Sequence, residues 1–252
     1  MSKYMQQIGW ADVPHIPKAD QDEMLQSYPA HQRDARAKGI PMLGAGAIYP
    51  IDESIFTVEP FRIPDWWPRA YGLDVGWKRT AAVWGAHDRD TDTIYIYAEY
   101  YQGQRPPQLH ADAIRGGGAL PGAIDPASAG SNQKDGSTLL EEYRQLELEL
   151  YPADNAVEAG IMAITRRLES GRLKVFATCR NWFAEFRLYR RVESQTERGL
   201  HVHIVKENDH LMDATRYLIM TGMRYARFGN EAAGDEAERQ NMRRSADSVT
   251  GY

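Results

Sequence analysis

Apolar and polar positions recur with two periods along the chain, and each change of period marks a new element. From residue 66 onward a period of two dominates, which predicts strands near 70–77, 80–86 and 93–101, the last written TIYIYAEYY in strong β formers. In the first of these Tyr71, Leu73, Val75 and Trp77 share one face while Gly72, Asp74 and Gly76 share the other, so one face is core and the other nearly bare. HDRDTD forms the turn between the second and third strands. A helix at 107–115 follows, then a short strand ending at Asp125, because Pro126 holds the preceding residue extended and cannot continue a central ladder. Helical periodicity returns in STLLEEYRQL, in AVEAGIMAITRRLESG closed by Gly171, in NWFAEFRLYRR, and in HLMDATRYLIMTGMRYA capped by Asn208 or Asp209; ELELYPA and RLKVF read as strands. Strands first, then alternating strands and helices, give an α/β domain with a mixed sheet.

The two ends have a different texture. Prolines at 14, 17, 29, 41, 50, 60 and 64 punctuate residues 1–65, which read as an extended arm with helical pieces near QDEMLQSY and HQRDARAKG. Residues 229–252 lack apolar periodicity and read as a flexible tail, leaving 66–228 as the folded domain. With 252 residues, 42% hydrophobic and 26% charged, the composition is that of an ordinary globular protein. No apolar run approaches the roughly 20 residues of a membrane span, and MSKYMQQIGW has no signal-peptide core, so an intracellular protein without a membrane partner is expected. The single Cys179 can form no internal disulfide and excludes a cysteine-rich zinc site. A net charge of −5 argues against a surface-wide nucleic-acid binder but not against a local basic groove. Arg166, Arg167, Arg172, Lys174, Arg187, Arg190, Arg191 and Arg216 are the candidates for it; many read as solvated helix faces, and a minority is expected to touch phosphate.

Asp74 raises a chemical question, because an ionised carboxylate inside a strand costs several kcal/mol unless something pairs with it. Its flanking glycines leave room for a ligand or a second backbone. The plainer reading is a turn hydrogen bond near a strand end. On the last helix Leu211, Ala214, Thr215, Leu218 and Gly222 form one stripe; Asp213 falls opposite with Asp209, His210, Arg216 and Tyr217, on a face that is ordinarily solvated. Taken together, Asp74, Asp125 and Asp213 can converge from a strand, a strand end and a covering helix. Converged carboxylates repel unless a divalent cation neutralises them, and hard oxygen ligands select Mg²⁺ or Mn²⁺.

YGLDVGW with its hairpin, AIDPAS, GRLKVF with its aromatic helix, and DHLMDATRY together resemble the nuclease domain of the large terminase subunit of tailed bacteriophages. HQRDARAKGIPMLGAGAIYP resembles the segment that joins motor to nuclease in that family. The resemblance covers most of residues 10–227 and implies a ribonuclease H-like fold, a mixed central sheet flanked by helices, with an acidic cluster binding two divalent metal ions, Mg²⁺ or Mn²⁺. Motif by motif it places the catalytic and metal-binding aspartates at Asp74, Asp125 and Asp213, a catalytic histidine at His210 and a further metal ligand at Asp209. Asp135, Glu141 and Glu142 are alternatives for the second acid. The implied reaction is two-metal hydrolysis of double-stranded DNA, one ion activating water and the other stabilising the leaving 3′ oxygen. The implied partners are a packaging ATPase domain, a small terminase subunit and a capsid portal, in the host cytoplasm. No G-x-x-x-x-G-K-[ST] loop occurs, so an excised nuclease domain or a product served by a separate motor is expected. Two other readings stand beside it: GLDVGWKRTAAV also resembles the phosphate-binding hairpin of actin-like and heat-shock ATPases, and a noncatalytic portal-docking module would keep the acids as a relic.

Overall fold

The computed structural model describes residues 9–10, 16–28, 33, 37, 46–130, 138–196 and 199–228. Most of the HQRDARAKG helix, the alternative acid Asp135 and the 229–252 tail lie outside the described residues. Helix α1 (Lys18–Gln26) buries none of its residues. Among the described residues nine strands follow: β1 (Thr57–Val58), β2 (Arg69–Asp74), β3 (Thr80–Asp88), β4 (Thr93–Gln102), β5 (Gly122–Ile124), β6 (Leu150–Pro152), β7 (Leu173–Phe176), β8 (Arg191–Thr196) and β9 (Gly199–Ile204). Between them lie α2 (Pro107–Arg115), α3 (Leu139–Gln145), α4 (Val157–Glu169) and α5 (Arg180–Leu188), and after them α6 (His210–Met220).

Seven strands form one mixed sheet in the order β1-β7-β4-β3-β2-β5-β6. β3 runs antiparallel to both its neighbours, β2 and β4, whereas the remaining pairs are parallel. One face packs Ala70, Val83, Ile94 and Ile96 against α4, α5 and α6 through Ile161, Ile164, Trp182, Phe186, Leu211 and Leu218. The other packs Tyr71, Leu73, Ala82 and Trp84 against Ala111 and Ile114 of α2 and Leu140 and Tyr143 of α3. Helices therefore flank the mixed sheet on both sides, as the sequence led us to expect. Residues 46–65, which composition placed in the arm, give Ile48, Tyr49, Ile51, Phe56 and Ile63 to the first of these faces and supply β1 at the sheet edge. Cys179 is buried there, and burial pushes its thiol up to about 12. No helix among the described residues is long and apolar enough to cross a membrane.

Four local expectations change. β2 stops at Asp74 rather than 77, because the Thr80 hydroxyl donates to the Gly76 carbonyl (3.2 Å) and the Gln104 N–H to the Trp77 carbonyl (2.9 Å), closing 75–79 into a loop. Asp74 thus stands at a strand end, and Trp77, expected on the core face, is 71% exposed. The helix read through Arg191 ends at Leu188 and gives way to the antiparallel β8–β9 hairpin, which the periodicity did not announce. Asp209 occupies the N-cap position of α6 with no side-chain cap bond; Glu185 of α5 instead accepts the Leu211 N–H (2.5 Å). The polar face of α6 is not solvated, since Asp213, Arg216 and Tyr217 are all buried, covered by α4 and α5.

Gly72 fixes how α6 lies on the sheet. A Cβ at position 72 would sit 1.9 Å from the Ala214 carbonyl oxygen and 2.8 Å from the Leu218 nitrogen, both backbone atoms that cannot rotate away. Gly72→Ala should therefore lower the unfolding free energy by about 3 kcal/mol or more, beyond the usual cost of overpacking because backbone must move. Chemical denaturation would measure this, and a variant as stable as the parent would contradict the packing.

Candidate active site

Adjacent strand ends bring the first two acids together. In the parallel β2–β5 pair Leu73 faces Ile124, and the next residues on each strand are Asp74 and Asp125, with the Asp125 N–H donating to the Leu73 carbonyl at 3.0 Å. Pro126 ends β5 and starts a single 3₁₀ turn, Pro126–Ala129, in which the Ala127 N–H donates to the Asp125 carboxylate (3.0 Å). The third acid comes from α6, where Asp213 precedes the Ala214 carbonyl that lies on Gly72. Asp74 lies near both of the others: burial raises its pKa most, His210 lowers it, and the charges of Asp213 and Asp125 raise it further. The Tyr217 hydroxyl, which donates to Asp125 Oδ1 (3.2 Å), is pushed up by burial and then by Asp213, Asp125 and Asp74 together.

Each acid already has a cationic or proton-donating partner. His210 Nδ1 lies 2.8 Å from Asp74 Oδ2. That contact is the largest cause of a raised His210 pKa, outweighing the burial that opposes it. Asp213 accepts from Arg216 (3.0 Å) on one oxygen and from Lys206 (3.2 Å) on the other. Lys206 also pairs with the buried Asp209 at 3.3 Å. Burial pulls the Lys206 and Arg216 values down, but the neighbouring aspartates more than restore them, so both cations are held charged.

As a metal site, the arrangement is expected from the sequence in its parts but not in its finished form. Asp74, Asp125, Asp213 and His210 share one location, and Asp209 stands at the start of the same helix. Among the described residues, however, no group of three or more His, Cys, Asp or Glu side chains is arranged to hold a metal ion. The donor chemistry fits a hard divalent cation, since carboxylate oxygens from three segments lie near one another; His210, Lys206 and Arg216 balance Asp74 and Asp213 instead. The alternative second acid Glu141 is committed elsewhere, closing a capping box with Thr138 on α3. Among the basic candidates, Arg167 and Arg172 pair with Asp92, Arg187 with Glu53, Arg191 with Glu158 and Arg216 with Asp213, while Lys174 donates to the Ile55 carbonyl. These six side chains thus have partners within the chain, which the sequence did not reveal.

Glu185 and Lys206 escaped the sequence reading. Glu185 is 2% exposed and accepts from the Tyr101 hydroxyl (2.6 Å) and from Leu211 at the start of α6; burial raises its pKa, and these two donors restrain the rise. Its signal was legible: a carboxylate among Trp182, Phe183, Phe186 and Tyr189 on a helical stripe needs a buried partner. Lys206 had no such signal, since its approach depends on a turn after β9.

The terminase RNaseH-like domain family matches residues 72–221, a span that contains Asp74, Asp125, His210 and Asp213. The chain belongs to this terminase family. Two curated relatives are large terminase subunits, from Salmonella phage P22 (32% identical over 227 residues, 86% of this chain) and Enterobacteria phage LP7 (31% over 224 residues, 84% of this chain). The chain spans 44% and 45% of their lengths. Among solved structures, the P22 large terminase nuclease domain is 30% identical with a TM-score of 0.64, covering 75% of this chain and 97% of that one. The mixed seven-stranded sheet of this terminase domain is accordingly ribonuclease H-like.

The Asp74–His210 contact has a definite pH consequence. Because the folded His210 pKa is raised, the pair stabilises the fold fully below the ordinary imidazole range and loses that contribution as pH rises through the raised value. Asp74→Asn should return the His210 titration, followed by NMR, toward the ordinary imidazole range. Its thermal stability should vary less with pH across the imidazole range than that of the parent, because the linked contribution goes with the carboxylate. An unshifted His210 titration would contradict the assignment.

Proposed function

We propose that this chain is the DNA-cutting domain of a phage large terminase, hydrolysing phosphodiester bonds of concatemeric double-stranded DNA during genome packaging. The observation that carries the reading is the meeting of Asp74, Asp125 and Asp213 at the C-terminal ends of β2 and β5 under α6, in a terminase-family domain. Asp74, Asp125 and Asp213 would hold divalent cations, Mg²⁺ or Mn²⁺, with Asp209 as a further ligand and two ions as the proposed complement. When bound, such ions supply Lewis-acid stabilisation of the charge that develops on the phosphodiester oxygens.

The side chains of this chain supply the rest. Asp74 comes from β2, an interior strand of the sheet, and feels the charge of both other acids, so it would hold a cation together with either of them. His210, hydrogen-bonded to Asp74 through Nδ1, keeps its other ring nitrogen for a proton or a water near the reacting phosphate. Tyr217 steers the Asp125 carboxylate, and Arg216 steers that of Asp213. Lys206 and Arg216 lower the electrostatic cost of bringing a polyanion to an acidic pocket. A packaging ATPase domain, a small terminase subunit, a portal and the host cytoplasm are the proposed setting. Family membership favours this reading over a nucleotide-binding ATPase lobe or an inert docking module.

Two measurements test it. Plasmid cleavage in Mn²⁺ by Asp74→Asn, Asp125→Asn or Asp213→Asn should fall by about a hundredfold or more relative to the parent chain, since even outer-shell partners of a metal are worth 10–100-fold. Calorimetric titration with Mn²⁺ should lose its binding heat in Asp213→Asn. Undiminished cleavage by any of the three variants would contradict the assignment of that residue.

A further inference from the structure

Two tryptophans of this chain are 71% exposed, Trp66 and Trp77, and they lie beyond opposite ends of β2. Trp66 follows Asp65 at the end remote from the acids. Trp77 lies three residues after Asp74 and is followed by Lys78 and Arg79. A single exposed indole is ordinary on a protein surface, and Trp66 is one; Trp77 differs in standing three residues from Asp74 on a braced loop.

The loop that carries Trp77 is held rather than slack. Its carbonyl accepts the Gln104 N–H at 2.9 Å, and Gly76 accepts the Thr80 hydroxyl at 3.2 Å. The Lys78 carbonyl lies where a Cβ on Gly103 would come within 2.0 Å, so β4's exit strand presses directly on it. The Arg79 guanidinium stacks over the Tyr101 ring at 4.2 Å, and the Tyr101 hydroxyl in turn donates to Glu185. Lys78 is exposed and has no ion pair among the described residues, unlike most of the cations named from the sequence. A pre-set loop loses little entropy on binding, and an apolar blade beside a free ammonium matches the sugar–base edge and the phosphate of a nucleic acid.

We propose that loop 75–79 is a DNA-contacting element of this domain, in which Trp77 packs against the groove edge of the duplex and Lys78 neutralises a phosphate next to the bond held at Asp74. This inference rests on the nuclease reading and names how the substrate is gripped. Arg79 is a positioning residue, since its stacking on Tyr101 sets the loop.

The test is fluorescence anisotropy of a labelled DNA duplex titrated with the full chain in Ca²⁺ in place of Mg²⁺. Trp77→Ala should weaken binding about tenfold, Trp77→Phe should recover part of the loss, and Trp66→Ala should bind like the parent. Lys78→Ala should reduce the slope of log affinity against log salt by about one. Parent binding matched by Trp77→Ala would overturn this inference and leave the nuclease reading standing. A parent chain with no affinity for the duplex would overturn both.

Discussion

The absence of a side chain at position 72 lets the backbone of α6 rest on the backbone of β2, and the site follows from that contact. The Ala214 carbonyl and Leu218 nitrogen occupy the space above Gly72, and Gly222 just beyond the helix comes near the Tyr71 carbonyl. With the helix held so close, Asp213 and His210 reach the end of the strand that carries Asp74, and the parallel register to β5 adds Asp125. Burial is the cost of this docking. Side chains on α6 that would be solvated on an ordinary surface helix must find partners, which is why Asp213 is gripped by Arg216 and Lys206 and why the Trp182 indole donates to Thr215 at 2.8 Å.

A run of carboxylates connects the sheet to that helix. Glu99 on β4 accepts the N–H groups of Asn181 (2.9 Å) and Trp182 (2.7 Å), capping α5. Glu185 on α5 does the same for α6 through Leu211, with Tyr101 of β4 bonded to its other oxygen. Helix N-termini carry unsatisfied donors and partial positive charge, so each anion satisfies both needs, worth about 1 kcal/mol apiece before burial is counted. The start of α6 is consequently filled by a protein carboxylate. On the function proposed above, a phosphate would be met by side chains near the acids rather than by that helix end.

Much of this was legible in the chain because the signals were local. Alternation in TIYIYAEYY, Pro126 after Asp125 and Gly171 after RRLES placed β4, the end of β5 and the end of α4 close to where they stand; Gly171 adopts a φ of +68°, as a helix stop requires. The glycine beside Asp74 signalled a close approach, and a second backbone fills it. Long-range matters were not legible. Whether a polar helix face is wet depends on which helices cover it, so α6 read as amphipathic although it is buried on both sides. The strand of alternating residues through Trp77 ended early because Gln104, distant in sequence, ties the loop. The pairing that occupies Arg167, Arg187 and Arg191 joins residues far apart in the chain, which no spacing rule reveals. The three acids were singled out by motif as candidates; the pairing of Asp74 with His210 and of Asp213 with Lys206 and Arg216 required coordinates.

The central claim is that Asp74, Asp125 and Asp213 form one cation-holding unit, and anomalous diffraction from crystals soaked in Mn²⁺ tests it most directly. The account predicts manganese peaks in contact with all three carboxylates. Peaks held by other residues, or none while Asp74 stays on His210 and Asp213 on Lys206 and Arg216, would contradict it.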